Sequence, residues 1–127
     1  MVLRAFIVED NVSLRESLRE ALLELTGIET AAMAGTQQTA VAWLGVNGNA
    51  WDIAIVDLNL GAGGSGFAVL KACHARKPEQ KVVVLTGRAK ADVRQQCLEL
   101  GADSVFDKAI ETDALMDWCR SMAEGAR

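Results

Sequence analysis

Trp51-Asp52-Ile53-Ala54-Ile55-Val56-Asp57 is the stretch on which the fold turns. Its four central residues are uninterruptedly apolar and run straight into a carboxylate. A strand with one face in water alternates polar with apolar side chains. An unbroken run instead reads as a strand covered on both faces, the habit of parallel sheets flanked by helices. Outward from this segment the pattern recurs. Downstream, Val82 to Leu85 ends at Thr86, and Val105-Phe106 marks a short last strand. Upstream, Leu3 to Val8, broken only by Arg4, ends at Glu9-Asp10, and Ile28 to Ala34 gives a weaker strand.

Amphipathic stretches fill the intervals. Val12 to Leu25 sets Leu14, Leu18, Ala21, Leu22 and Leu25 on one helical face, with Ser13 and Glu16 at capping-box spacing and Gly27 as the stop. A short helical pattern surrounds Ala40, Val41, Trp43 and Leu44, and Asn47-Gly48-Asn49 forms a turn. After the glycine-rich segment Gly61 to Gly66, a helix has to end before Pro78. Arg88 to Leu100 reads as a helix closed by Gly101. Asp113 to Glu124 supplies the last one, with Ala114, Leu115, Trp118, Cys119 and Met122 sharing a face. Five strands alternating with helices predict an α/β fold, a five-stranded parallel, doubly wound sheet with right-handed crossovers. One domain, residues 1–127, fills the chain, with no output domain expected.

Composition narrows the function classes. Half of the 127 residues are apolar, enough for a sizeable core, and no stretch approaches the roughly 20 apolar residues of a membrane span. The net charge of −4 argues against a surface built to neutralise nucleic-acid phosphates, so neither nucleic-acid binding nor membrane insertion is expected. Cys73, Cys97 and Cys119 are odd in number and lie in helical patterns, which reads as reduced core thiols in a cytoplasmic protein.

In a doubly wound sheet, function gathers at the carboxyl ends of the strands. Here those ends carry Glu9 and Asp10, Asp57, Thr86 with Gly87, and Lys108. Two carboxylates about 5 Å apart repel by roughly 3 kcal/mol at an effective dielectric near 20, and one lysine cannot neutralise three of them. An oxygen-only donor set without His or Cys suits Mg²⁺. A divalent ion beside a carboxylate, an amine and a hydroxyl is equipment for phosphoryl transfer onto the carboxylate.

Glu9-Asp10 after the first strand, Asp57 after Ile53-Ala54-Ile55-Val56, Thr86-Gly87 after Val82 to Leu85, and Gly101-Ala102 followed by Lys108 together resemble the receiver domain of two-component response regulators, along essentially the whole chain. The resemblance implies a flavodoxin-like (βα)5 sandwich in which Asp57 takes a phosphoryl group from a phosphohistidine on a sensor histidine kinase or a histidine phosphotransfer protein. It implies Mg²⁺ held by Glu9, Asp10, Asp57 and the backbone carbonyl of Asn59. Lys108 and Thr86 would bind phosphoryl oxygens, Gly87 would leave them room, and an unidentified downstream protein would read the result. Such a domain is no enzyme beyond its own phosphorylation and dephosphorylation.

Three positions depart from that pattern. Ala109 follows Lys108 where receivers carry a cis proline, so a trans bond and a differently shaped last loop are expected. Val105 stands where an aromatic residue usually reports the threonine's movement, and Phe106, one position later, should face the opposite side of the sheet. Gly61 replaces a common proline in a loop one residue longer than usual, which points to a mobile loop.

The alternatives are a degenerate receiver that binds proteins without phosphorylation, and a small flavodoxin-like cofactor binder. Gly61, Gly63 and Gly66 spell a G-x-G-x-x-G dinucleotide fingerprint, but it follows the third strand, where Asp57 would repel a pyrophosphate. Individually, Asp57 and Glu9-Asp10 could cap local turns or helices, Thr86 could satisfy a strand-end carbonyl, and Lys108 could be solvated. His74 reads as a helix-surface residue, and Trp43, Trp51 and Trp118 as packing.

Overall fold

In the computed structural model, which describes residues 1–87 and 89–126, strands and helices alternate from end to end. The strands are β1 (Arg4–Val8), β2 (Glu29–Ala34), β3 (Ile53–Val56), β4 (Lys81–Thr86) and β5 (Ser104–Asp107). The helices are α1 (Val12–Thr26), α2 (Gln37–Val46), α3 (Gly66–Ala72), α4 (Ala91–Glu99) and α5 (Thr112–Gly125). All strand pairs are parallel, in the order β2-β1-β3-β4-β5. The chain thus starts near the middle of the sheet, winds one way to β2, then returns across β1 to build the other half. The flavodoxin-like (βα)5 expectation holds.

Burial of both faces follows from the apolar runs. Phe6, Val8, Ala54, Val56, Val82, Val84 and Val105 point to one side, where α2, α3 and α4 contribute Leu44, Leu70 and Cys97. Ala5, Ile7, Ile53, Ile55, Val83, Leu85 and Phe106 point to the other, against Leu18 and Leu22 of α1 and Leu115 and Cys119 of α5. Phe6, Ile7, Ile53 and Ile55 are almost fully removed from water, each contributing about 2 kcal/mol of apolar burial. Phe6 also stacks on Trp43 with ring centroids 4.3 Å apart. Trp51 is buried and Trp118 half-buried, so all three tryptophans pack as expected.

Several local readings need correction. The N-cap of α1 is Asn11, whose Oδ1 accepts the Leu14 N–H at 3.0 Å. Because the helix begins at Val12, Ser13 already lies inside its first turn, and Glu16 pairs with Arg19 instead. Gly27 closes the helix in the left-handed region, φ 74°, as the sequence predicts. Leu25 is half exposed, since burial follows the four-residue steps Leu18, Leu22 and Thr26. In α5, Ala114 is exposed while Met116 joins the core.

The fourth helix starts at Ala91, three residues later than read; Arg88 itself lies outside the described residues. His74 is exposed but sits beyond the end of α3, not on it. There the Arg76 guanidinium ties the chain to the carbonyls of Cys73, Gln80 and Gly101. The three cysteines are buried free thiols, as expected.

Candidate functional site

The strand order brings the carboxyl ends of β1, β3, β4 and β5 side by side, and main-chain bonds lock their relative height. Asp57 N donates to Val8 O at 2.9 Å, Lys108 N to Thr86 O at 2.9 Å, and Glu9 N to Ala34 O at 3.0 Å. A cleft of about 760 Å³ opens there, lined by Glu9, Asp10, Asp57, Asn59, Thr86 and Lys108 among others. The residues singled out at the strand ends therefore share one cavity.

Asp57 is 3% exposed. Its Oδ1 accepts the Asn59 N–H at 3.1 Å and its Oδ2 the Lys108 ammonium at 2.7 Å. The same ammonium lies 2.6 Å from Oε1 of Glu9, itself 2% exposed, while Glu9 Oε2 accepts the Asn11 N–H. One lysine thus bridges two buried carboxylates. Burial raises the Glu9 carboxyl above its usual range against the opposing pull of Lys108, and neighbouring Asp10 and Asp57 push it the same way. Burial alone would lower the Lys108 ammonium; the bonds to Asp57 and Glu9 overcome it, and the net direction is upward.

Asp10 is exposed at the cleft mouth, and carboxylate oxygens of Glu9, Asp10 and Asp57 lie within 4.8 Å of one another. An all-oxygen set with more negative charge than one lysine balances is suited to a hard divalent cation, so these residues fit such an ion.

The other expected residues are positioned as follows. Thr86 is buried at the end of β4, and a Cβ on Gly87 would meet nothing within 4 Å, so the space beside it is open. Asn59 lies exposed on the cleft rim, its Oδ1 accepting the Gly61 N–H. Among the described residues there is no cis peptide, as Ala109 predicts. The loop after Lys108 is held by polar contacts: Ala109 N donates to Asp107 Oδ1 at 2.8 Å and Thr112 Oγ1 to Lys108 O at 3.2 Å. Val105 and Phe106 face opposite sides of the sheet, as alternation requires.

The glycine-rich segment is less uniform than its composition suggests. Gly61 to Gly63 form a 3-10 turn, and Asn59 bridges to Ser65, whose N–H also reaches Gln37 Oε1. Gly66 is the buried first residue of α3, and a Cβ on it would lie 2.1 Å from the Asp57 carbonyl oxygen. Its lack of a side chain serves this close packing against the main chain of Asp57 and Leu58, a reason that needs no pyrophosphate.

Two residues that sequence reasoning missed are Arg94 and Glu111. Arg94 donates to the carbonyls of Ala89 and Val105 and to the Glu111 carboxylate, which also accepts the Asp107 N–H. They are 17 residues apart on different elements, and no local pattern joins them.

A sheet of this order brings the acid trio and the lysine together at its carboxyl edge. Residues 5–120 match the family model described as response regulator receiver domain, and the chain belongs to that family. It is 26% identical over 128 residues to the C4-dicarboxylate transport transcriptional regulatory protein DctD of Pseudomonas aeruginosa, covering 98% of this chain and 26% of that one. Against two further bacterial response regulators it spans 56% and 58% of their lengths, so its similarity reaches only part of each relative.

Among solved structures, a CheY-like receiver domain from Methylobacillus flagellatus shares 27% identity at a TM-score of 0.78, over 96% of this chain and 99% of that one. A response regulator from Burkholderia pseudomallei, solved with a phosphorylated aspartic acid, calcium ion and citrate, has a TM-score of 0.79 at 22% identity, covering 98% of this chain and 70% of that one.

Proposed function

We propose that Asp57 is the phospho-acceptor of a two-component pathway, taking a phosphoryl group from a phosphohistidine on a sensor histidine kinase or a phosphotransfer protein. The observation that carries this reading is the Lys108 ammonium at 2.7 Å from Asp57 Oδ2, with the Glu9 and Asp10 carboxylates beside it. A carboxylate oxygen of Asp57 forms the new P–O bond as the P–N bond of the phosphohistidine breaks, and the departing imidazole keeps the bonding pair. Lys108 already touches the accepting group and can follow a phosphoryl oxygen as charge builds there. Thr86, one strand away, supplies a hydroxyl for a second oxygen, and the open space beside Gly87 admits the group. Hydrolysis of the acyl phosphate by water restores the carboxylate and releases inorganic phosphate.

Mg²⁺ held by Glu9, Asp10, Asp57 and the main-chain carbonyl of Asn59 would neutralise negative charge on the transferring group. The domain's output is differential partner binding: the two charge states of Asp57 favour different arrangements around Thr86 and Lys108, and a downstream protein prefers one.

Intact mass after incubation with acetyl phosphate tests the reading. A gain of one phosphoryl group that needs Mg²⁺ and disappears in Asp57→Asn is expected. No gain under any condition would leave a phosphorylation-independent binding module as the function.

A further inference from the structure

In this chain the residue after the site lysine is Ala109 and the bond before it is trans, so the last loop lacks the rigidity a ring would give it. Its neighbour, the loop after Thr86, has no helix cap of its own: α4 begins after Lys90, whose side chain makes no capping bond. These two loops flank the acceptor on the β4 and β5 side. Among the described residues, one side chain joins them besides the Lys108 N–H to Thr86 O bond.

That side chain is Arg94, from the first turns of α4. Its Nε donates to Ala89 O at 2.8 Å, in the loop after Thr86. Its Nη1 donates to Val105 O at 2.8 Å, on the outer edge of β5 where no further strand pairs. Its Nη2 donates to Glu111 Oε1, at the end of the loop that starts with Lys108. The same Glu111 oxygen accepts the Asp107 N–H at 3.0 Å, and the Glu111 N–H returns to Asp107 O at 2.8 Å. A planar guanidinium spreads its donors over a fixed fork and so spans acceptors on three segments, where an ammonium offers its three donors from a single nitrogen. The bond from Arg94 also holds the Glu111 carboxyl below its usual range, which favours its carboxylate form.

We propose that Arg94, with Glu111, is a positioning residue for phosphoryl transfer: it fixes the Lys108 loop against the Thr86 loop and so aims the lysine at Asp57. The inference rests on the reading of Asp57 as acceptor and assigns the aiming to a contact outside the cleft.

Three variants, Arg94→Met, Arg94→Lys and Glu111→Gln, and the double variant Arg94→Met with Glu111→Gln, test it. Phosphorylation by acetyl phosphate at saturating Mg²⁺ is expected to slow by about ten- to a hundredfold in Arg94→Met, a 1 Å misplacement being able to cost about a hundredfold. Arg94→Lys should recover part of that rate, and the double variant should be no slower than the slower single one, because both remove one contact. Mg²⁺ affinity by calorimetry should stay within about twofold, since Glu9, Asp10 and Asp57 follow β1 and β3 and none of the Arg94 bonds reaches them. A full rate in folded Arg94→Met, or rate and Mg²⁺ affinity falling together, would overturn the proposal.

Amide exchange provides a readout independent of phosphorylation. In Arg94→Met, and in Glu111→Gln should the former not fold, the amides of Lys108 to Glu111 and of Ala89 and Lys90 should exchange faster together. Unchanged exchange at Lys108 to Glu111 overturns the proposal even if no variant is ever phosphorylated. Absence of phosphorylation in the unmodified protein counts against Asp57 as acceptor, and exchange then decides the role of Arg94.

Discussion

Replacing Asp10 by Asn should stabilise the domain without metal and weaken its response to metal. Asp10 is exposed, and its carboxylate lies within 4.8 Å of those of Glu9 and Asp57. Those two share the Lys108 ammonium, so Asp10 faces a net excess of about one negative charge. One like-charge pair at that separation costs about 3.5 kcal/mol at a dielectric near 20 and about 0.9 kcal/mol in water. Exposure puts Asp10 near the watery limit, and the expected gain in EDTA is about 1 kcal/mol, or roughly 3 to 5 °C in Tm for a domain of this size.

Mg²⁺ should reverse the comparison. At 100 times its Kd the ion stabilises the unmodified protein by about 2.7 kcal/mol; a tenfold weaker site gives the variant about 1.4 kcal/mol at the same concentration. Urea unfolding followed by circular dichroism, in EDTA and in Mg²⁺, measures both quantities. A variant less stable than the unmodified protein in EDTA, or one with an undiminished Mg²⁺ response, would refute the crowding of charge described here.

Gly66→Ala should destabilise by about 2 to 3 kcal/mol, because its Cβ would lie 2.1 Å from main-chain oxygen that cannot rotate aside. Gly45→Ala, within α2 and with nothing within 4 Å, should instead stabilise by about 0.5 to 1 kcal/mol, and urea midpoints of the two variants should move in opposite directions. Burial lifts the Cys73 thiol to about 11 and the Cys119 thiol to about 12. A raised folded-state value means that the contribution of each thiol is complete below the unfolded value near 9 and lost as pH rises through the folded value. By pH 10 each thiol should cost about 1 kcal/mol of stability, a decline that the Cys73→Ala and Cys119→Ala double variant should lack in pH-dependent urea unfolding.

The parts of the fold legible in sequence are those where one physical demand acts along a continuous segment. Ile53 to Val56 announced a strand with both faces covered because every side chain had to be apolar, and its bounds match β3. The acid trio was legible for a related reason: strand ends are where a parallel sheet presents its chemistry, and Glu9, Asp10, Asp57 and Lys108 each follow an apolar run. Boundaries set by competition were not. Asn11 rather than Ser13 is the cap, because in a helix that begins at Val12 it is the Asn11 side chain that faces a free first-turn amide, that of Leu14. The late start of α4 and the Arg94 to Glu111 contact depend on where two loops meet in space, and neither segment carries that information alone. Gly66 was visible as a glycine, but its reason, the main chain of Asp57 pressed against it, lies across a tertiary contact.

That pressed glycine divides the molecule mechanically. With the Gly66 N–H bonded to Leu58 O and no room for even a methyl group between them, the chain just beyond Asp57 is wedged against the root of α3. On its other flank, β1 grips Asp57 through the carbonyl of Val8. In the role proposed for it, Asp57 would behave as an anvil: a group delivered to it would find no give behind or toward β1. Mutations that soften the anvil should therefore blunt the blow without changing who delivers it.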